Sequence, residues 1–148
     1  MTNPSIHASA VLVGARAVLI RGAAGSGKSS LAFALVRAGE HGTLPHTRLV
    51  GDDRVDVEAA HGRLLVRPHA ALAGLIEVRG LGIRRLPFEP IAVVGLVVDL
   101  GVDSERLPAR ESTVTELAGI VLPRLAVAPG MDAFGLVYAA LRTADSGD

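Results

Sequence analysis

The residues best suited to chemistry lie in a glycine-rich run near the start of the chain. The run reads Gly22-Ala23-Ala24-Gly25-Ser26-Gly27-Lys28-Ser29. Its spacing is that of a P-loop, in which backbone N–H groups converge on phosphate oxygens. Lys28 can place its ammonium between the β- and γ-phosphates, and Ser29 can offer its hydroxyl to Mg²⁺. The run therefore predicts a site for ATP and Mg²⁺ and, with it, phosphoryl transfer.

The flanks of this run have the patterns that a P-loop needs. The apolar residues 17–20 predict a strand leading into the loop, paired through a tight turn with a strand over residues 11–13. After the loop, apolar residues at i, i+3, i+4 and i+7 predict a helix with one buried face, stopping near Gly39. These are Leu31, Ala34, Leu35 and Ala38. The alternative, an ordinary glycine turn that caps a helix, does not require both flanks.

Two adjacent carboxylates, Asp52 and Asp53, follow a short apolar strand that ends at Val50. A P-loop enzyme needs a carboxylate near its metal and a base for its acceptor. Neighbouring strand residues point to opposite faces. We therefore expect one Asp to meet the metal and the acceptor while the other makes a structural hydrogen bond. A solvated turn is the competing interpretation, since Asp is common in turns.

Glu77 lies within a short predicted strand over residues 75–78. On spacing alone it fits a residue that faces outward or pairs with Arg79. The five histidines show no metal-ligand spacing, and Arg106 alone would be a solvated charge. These residues gain meaning only when the motifs are taken together.

Composition limits the classes of function. Fifteen basic and fifteen acidic residues cancel, which disfavours a nucleic-acid-binding surface, and the absence of cysteine excludes disulfides and thiolate metal sites. The longest apolar run, residues 91–98, is closed by Asp99 and is shorter than the roughly 20 residues that span a bilayer. With no secretory signal visible, we expect a cytoplasmic protein without a membrane partner.

The remaining patterns predict a strand-rich α/β domain with one early strand-loop-helix unit. The 148 residues suit a single domain, with a core over roughly 6–142 and a frayed tail over 144–148. The further predicted elements are a hairpin of 55–57 with 64–66, a strand over 91–100, a short helix over 113–118, an edge or irregular strand over 122–127 and a final helix around 134–141.

Taken together and in order, four segments closely resemble the catalytic domain of the HPr kinase/phosphorylase family. They are Ile6-His7-Ala8, Gly22 to Ser29, Val50-Gly51-Asp52-Asp53-Arg54-Val55 and Ile76-Glu77-Val78-Arg79-Gly80-Leu81-Gly82-Ile83. The last is the most telling, because such a run has no place in ordinary P-loop kinases. The resemblance covers roughly residues 6 to 142 and corresponds to a short form without the N-terminal domain.

This resemblance implies roles for the ligand-binding residues. Lys28 would hold the phosphates, and Ser29 and Glu77 would bind Mg²⁺. Asp52 would be the base that takes the proton of the acceptor serine. Asp53, the other member of the pair, is a further candidate metal ligand.

Two more residues take roles only through the resemblance. His7 resembles a histidine that sits close to the base and tunes it. Arg106 resembles a catalytic arginine that follows a long apolar strand, by its Arg-Leu pair and its position.

The resemblance also implies a fold and partners. The fold is similar to the nucleotide-binding core of phosphoenolpyruvate carboxykinase, often assembled as a homo-hexamer. The protein substrate is the phosphocarrier protein HPr, with inorganic phosphate as co-substrate of the reverse, dephosphorylating reaction. A Gly-Arg pair linked to that reaction in the long form has no counterpart in residues 127–132, which weakens the expectation of a phosphorylase.

Two other functions stay open from the sequence. One is a P-loop kinase or NTPase with a small-molecule acceptor. The other is a nucleotide-sensing module without chemistry, although such a module has no need to retain Lys28, Ser29, Asp52 and Glu77 together.

Overall fold

A computed structural model describes residues 4–144 and 146, which form a mixed α/β fold rich in strands. The strands are β1 Ser5–Ile6, β2 Ala8–Val13, β3 Arg16–Arg21, β4 Thr47–Gly51, β5 Val55–Ala60, β6 Arg63–Pro68, β7 Leu75–Val78, β8 Gly82–Arg85, β9 Ala92–Leu100, β10 Val114–Leu117 and β11 Ile120–Val127. The α-helices are α1 Lys28–Glu40 and α2 Ala133–Arg142, and 3₁₀ turns cover Ala70–Leu72 and Arg110–Thr113. The predicted tail over 144–148 lies largely outside the described residues.

Strand β9 is the centre of a nine-stranded sheet. One side of β9 pairs with β3 in parallel, and the other side is shared between β6 at its start and β11 at its end. Beyond β3 come β2 and β4, and beyond β6 come β5 and β1. Strands β7 and β8 form a separate hairpin. Because β3, β9 and β11 are parallel, their carboxyl ends meet at one edge of the sheet.

Alternating side chains of β3 enter two cores. Val18 and Ile20 pack with the helices on one face, whereas Ala17 and Leu19 pack with β5 and β6 on the other. Helix α1 buries Leu31 and Leu35 against the sheet, as its spacing predicts, and it ends one residue after Gly39. Burial on both sides holds β3, and therefore the loop that follows it, in a fixed position.

Most predicted elements are confirmed, including the β2–β3 and β5–β6 hairpins and the final helix. The helix predicted over 113–118 is wrong. Residues 114–117 form β10, which turns through Ala118 and Gly119, both with positive φ, and pairs with β11. The β-branched Val114 and Thr115 favour the strand, and the two-residue turn gives the twist that a hairpin needs.

Candidate functional site

The glycine loop joins β3 to α1 in a tight conformation that explains its glycines. Gly25 and Gly27 have φ values of 82° and 101°, which residues with a side chain rarely adopt. A Cβ at Gly22 would lie 2.4 Å from the Oγ of Ser26 and 3.2 Å from the Cβ of Leu100. A side chain at Gly22 would therefore push Ser26 out of the loop.

The N-terminus of α1 is open at the end of this loop. Gly27 caps the helix without a side chain, and the first intrahelical bond runs from the Leu31 N–H to the Gly27 carbonyl. The N–H groups of residues 28–30 therefore have no acceptor within the helix. Beside them lies a cavity of about 300 Å³, lined by Ala24, Gly25, Gly27, Lys28, Ser29, Ser30, Asp53, Glu77 and Arg79. Amide donors, a helix N-terminus and cations on one cavity suit a phosphate group.

Two polar groups of the loop fit the same ligand. The ammonium of Lys28 donates to the carbonyls of Gly22 at 2.7 Å and Ala23 at 3.2 Å, so it lies folded over the loop. The hydroxyl of Ser26 is buried and has no hydrogen-bond partner within the described residues. An orphaned buried donor is costly, and a phosphate oxygen would satisfy it.

Asp52 connects this loop to the rest of the site. Its side chain is buried, with the residue only 4 % exposed. It accepts hydrogen bonds from the Ser9 hydroxyl at 2.6 Å, from the Ser29 hydroxyl at 2.8 Å to both carboxylate oxygens, and from the Glu77 N–H at 3.1 Å. One carboxylate thus fixes residues from β2, α1 and β7, two of which are the predicted metal ligands. The solvated-turn interpretation is wrong for Asp52.

Asp53 faces a different environment because the chain turns between the two residues. Strand β4 ends at Gly51, and Asp53 has a φ of 68°, so the pair does not alternate across a strand as expected. Asp53 is exposed, and its N–H donates to the Ser9 hydroxyl at 3.4 Å. The turn, rather than the strand pleat, separates the two carboxylates.

The cavity beside the N-terminus of α1 shares three lining residues with a second cavity, namely Ser29, Asp53 and Glu77. Within the described residues, no three His, Cys, Asp or Glu side chains cluster closely enough to form a metal site by themselves. Mg²⁺, however, usually takes one or two carboxylates and completes its shell with water and phosphate oxygens. A hydroxyl and two carboxylates at the mouth of a phosphate cavity fit that requirement.

The second cavity has a volume of about 240 Å³ and a mixed lining. Its polar end holds Ser29, Asp52, Asp53 and Glu77, and its other walls are Leu72, Leu75, Ile76 and Ile83. Ile83 lies directly opposite Glu77 in the β7–β8 hairpin and is 63 % exposed. The two cavities meet at one set of polar groups, so a molecule in the second, hereafter the acceptor cavity, would face a phosphate held in the first.

A further carboxylate, Asp99, was not singled out by its sequence position except as the end of an apolar run. It is buried at the end of β9, where Arg21 binds it at 2.7 and 2.9 Å and Arg124 at 2.5 Å. Burial alone would raise the pKa of Asp99, but the hydrogen bonds and charges of both arginines outweigh it, so this pKa lies below its ordinary value of 3.8. Arg21 immediately precedes Gly22, so the ion pair anchors the start of the glycine loop. An acidic residue inside an apolar strand was the available signal.

Comparison with known proteins places this site in a family. The sequence model of the HPr Serine kinase C-terminal domain matches residues 1–86, more than half of the chain. The chain belongs to this family. As a member of the HPr serine kinase C-terminal domain family, it has all of its candidate site residues except Arg106 inside the matched segment.

Individual relatives agree with the family. The HPr kinase/phosphorylase of Clostridium beijerinckii is 40 % identical over 78 residues, which cover 53 % of this chain and 24 % of the relative. That of Limosilactobacillus reuteri is 34 % identical over 136 residues, covering 83 % of this chain and 40 % of the relative. The chain thus spans between about a quarter and two fifths of these proteins.

The fold also matches a solved structure of the family. The Hpr(Ser) kinase/phosphatase from Coxiella burnetii superposes with a TM-score of 0.74 at 25 % identity, covering 94 % of this chain and 88 % of that one. No helix in the described part of this HPr kinase C-terminal domain is long and apolar enough to cross a membrane.

The structure does not bring two predicted residues to Asp52. His7 is exposed, and its Nε2 lies 3.1 Å from a guanidinium nitrogen of Arg54, which also donates to Ser5 at 3.0 Å. No hydrogen bond joins His7 to Asp52 within residues 4–144. Arg106 lines a separate cavity of about 680 Å³ formed by the loop after β9 and by β11. The catalytic roles of His7 and Arg106 remain predictions.

Proposed function

We propose that this chain is an ATP- and Mg²⁺-dependent protein-serine kinase that phosphorylates the phosphocarrier protein HPr. The observation that carries the proposal is the buried Asp52, which hydrogen-bonds Ser29 of the glycine loop and the backbone of Glu77 while lining the acceptor cavity. Relatives that are 40 % and 34 % identical to this chain over the matched segments are named HPr kinase/phosphorylase, which supports the acceptor.

The glycine loop and its surroundings would hold the triphosphate of ATP. Backbone N–H groups of the loop and the N-terminus of α1 would bind phosphate oxygens, with the ammonium of Lys28 moving from the Gly22 carbonyl onto them. Ser29, Glu77 and Asp53 would hold Mg²⁺, whose chemistry there is to neutralise the charge on the transferred phosphoryl group. The residues themselves contribute mainly by positioning and by electrostatic complementarity.

Asp52 is the proposed base. A carboxylate offers about four lone-pair sites, and Asp52 makes four contacts, two of them to the single hydroxyl of Ser29. Because that hydroxyl carries one hydrogen, an acceptor hydroxyl would take the place of one of the two Ser29 contacts. The acceptor hydroxyl would enter from the second cavity and donate to Asp52. As its oxygen bonds to the γ-phosphorus and the bond to the β-phosphate oxygen breaks, the proton would pass to the carboxylate.

The lining of the acceptor cavity favours a protein over a polyol or another small polar metabolite. Leu72, Leu75 and Ile83 offer no hydrogen bonds to such a molecule. They suit a hydroxyl-bearing residue set beside aliphatic side chains of a protein surface. We therefore place the kinase with a small-molecule acceptor second.

Several finer expectations belong to the same proposal. In the reverse reaction inorganic phosphate would occupy the γ-position and Asp52 would act as acid. We further propose a single catalytic domain over residues 1–148 similar to the phosphoenolpyruvate carboxykinase core, a homo-hexamer, and a cytoplasmic location shared with HPr.

The test is transfer of label from [γ-³²P]ATP to purified HPr, with a serine-to-alanine HPr as the matched acceptor control. We expect Mg²⁺-dependent label on wild-type HPr only, lost again on adding inorganic phosphate if the reverse reaction is retained. Label on a small metabolite but not on HPr would establish the alternative kinase. ATP binding without any turnover in the presence of HPr would establish a sensor instead.

A further inference from the structure

The cavity beside Arg106 opens at the same edge of the sheet as the glycine loop. Strands β3, β9 and β11 run parallel and end in one row, since Arg21 pairs with Asp99 and Val127 pairs with Leu100. In open α/β sheets, ligands bind in the crevice outside the carboxyl ends of parallel strands. A nucleotide that starts on the loop after β3 can therefore extend across β9 toward β11.

The segment that leads into the wall of this cavity passes close to the glycine loop. A Cβ at Gly101 would lie 4.0 Å from the Cβ of Ser26, which is within the loop. The N–H groups of Gly101 and Val102 donate to the Val127 carbonyl at 2.8 and 3.2 Å, which ties the same segment to the end of β11. Two residues further on, Asp103 already lines the cavity.

The size and the lining of the cavity suit a nucleoside rather than more phosphate. Its volume of about 680 Å³ is in the range of small-molecule sites. Asp103 and Glu105 balance the charges of Arg106 and Arg124, so the lining has no excess positive charge for further phosphate, whereas Leu125, Met131 and Leu136 offer apolar surface. The planar guanidinium of Arg106 can stack on an aromatic ring.

A free strand edge supplies the remaining feature. Residues 124–127 of β11 pair with β9 on one side, but β10 pairs only with residues 120–123. Within the described residues, no strand covers the other edge of 124–127, and Arg124, Leu125 and Ala126 line the cavity there. A strand edge presents alternating N–H and C=O groups, which match the adjacent donor and acceptor on the edge of adenine.

We propose that this cavity is the base site of the nucleotide, holding the purine and part of its ribose against the edge of β11. The proposal rests on the proposed function, because it assumes that the triphosphate lies on the glycine loop. It assigns residues 103–105, 124–126 and Met131 to nucleotide selection rather than to the acceptor, and it leaves the predicted catalytic role of Arg106 as a separate question.

The test compares the affinities of ATP and of inorganic tripolyphosphate, each with Mg²⁺, by titration calorimetry. Ala126→Trp and Met131→Trp fill the cavity from β11 and from its exposed rim, respectively. Val121→Trp is the matched control, since Val121 is on the same strand, is 65 % exposed and does not line the cavity. The chain has no tryptophan, so the emission of each new indole reports whether it is buried, and thermal unfolding reports whether the variant folds.

We expect Ala126→Trp and Met131→Trp to weaken ATP at least about tenfold while tripolyphosphate changes less than about twofold, because only ATP carries a base. Val121→Trp should alter neither affinity. Equal effects on the two ligands, or unchanged ATP affinity in a folded variant with a buried indole, would overturn the base site and leave the glycine loop intact. If wild-type protein binds neither ligand, the proposed function fails at the loop and the base site fails with it.

Discussion

Two buried carboxylates, Asp52 and Asp99, lie at the ends of strands on either side of the glycine loop. Their hydrogen-bond partners are of different kinds. The two residues are 4 % and 8 % exposed. Asp99 is clamped by the guanidinium groups of Arg21 and Arg124. Asp52 receives two hydroxyls and one backbone N–H, and none of its hydrogen-bond partners in the described residues is a cation.

We propose that this difference separates a structural charge, Asp99, from a chemical one, Asp52. The two arginines compensate Asp99 so fully that its carboxylate joins β3, β9 and β11 and has nothing left to offer a ligand. Neutral donors hold Asp52 in place without cancelling its charge, which leaves that charge for a metal-bound hydroxyl or a proton. In this family member, therefore, the partners of a buried carboxylate indicate its role better than its burial does.

The largest effect expected on stability comes from Asp99→Asn. The substitution leaves two partly buried guanidinium groups without a counter-charge, so the free energy of unfolding should fall by about 3 kcal/mol, the low end of the range for broken buried ion pairs. Urea unfolding measures this, with Glu116→Gln on the exposed face of β10 as the matched control. A loss of unfolding free energy no greater than that of the control would show that the ion pairs of Asp99 do not stabilise the fold.

A smaller loss is expected for Ser9→Ala, which removes one neutral donor from Asp52. A buried hydrogen bond to a charged group contributes about 1.5–3 kcal/mol, and Ser29 and the Glu77 N–H remain. We expect unfolding free energy to drop by about 1–2 kcal/mol and the Mg²⁺ requirement for transfer to rise, because Ser29 is held less firmly. Ser112→Ala, whose hydroxyl donates only to a backbone carbonyl in an exposed turn, is the control. An unchanged Mg²⁺ requirement would contradict the idea that Asp52 helps to position the metal ligand Ser29.

The smallest expected effect is on how steeply the free energy of unfolding falls at acidic pH. The folded pKa of Asp99 is lowered by its arginines, so the unfolded chain takes up this proton first as pH falls. The stability due to Asp99 is therefore fully present above the unfolded pKa, near 3.8, and is lost as pH falls through the lower folded pKa. Urea titrations from pH 6 to pH 2.5 should show a shallower acid decline in Asp99→Asn than in the wild type. If the free energy of unfolding fell equally steeply with pH in both proteins, the stabilisation of the Asp99 carboxylate by Arg21 and Arg124 would be contradicted.

The sequence predicted what depends on neighbouring residues. The strand and helix that flank the glycine loop and the β2–β3 and β5–β6 hairpins each have a local pattern, and each is confirmed. The partners of Asp52 come from 43 residues earlier and 25 residues later in the chain, so no local pattern marks Ser9 as its donor. The same holds for Asp99, whose arginines are 78 and 25 residues away.

The wrong element has a local cause as well. Residues 113–118 form a strand because β11 pairs with them, and the turn that allows this places Ala118 at a φ of 51°. A non-glycine residue in that conformation gives little sign in the sequence. With a helix predicted over residues 113–118, the sequence predicted neither the free edge of β11 nor the cavity that Arg124 and Arg106 line.

The most direct test of the account is single-turnover transfer from ATP to HPr by Asp52→Asn and Asp53→Asn. We predict that Asp52→Asn lowers the transfer rate by about 10³-fold, the usual size of a general-base contribution, while ATP affinity stays within a few fold of wild type. Asp53→Asn should raise the Mg²⁺ requirement and recover most of the rate at saturating Mg²⁺. Near-wild-type transfer by a folded Asp52→Asn variant, or an unrecoverable loss confined to Asp53→Asn, would contradict the assignment of Asp52 as the base.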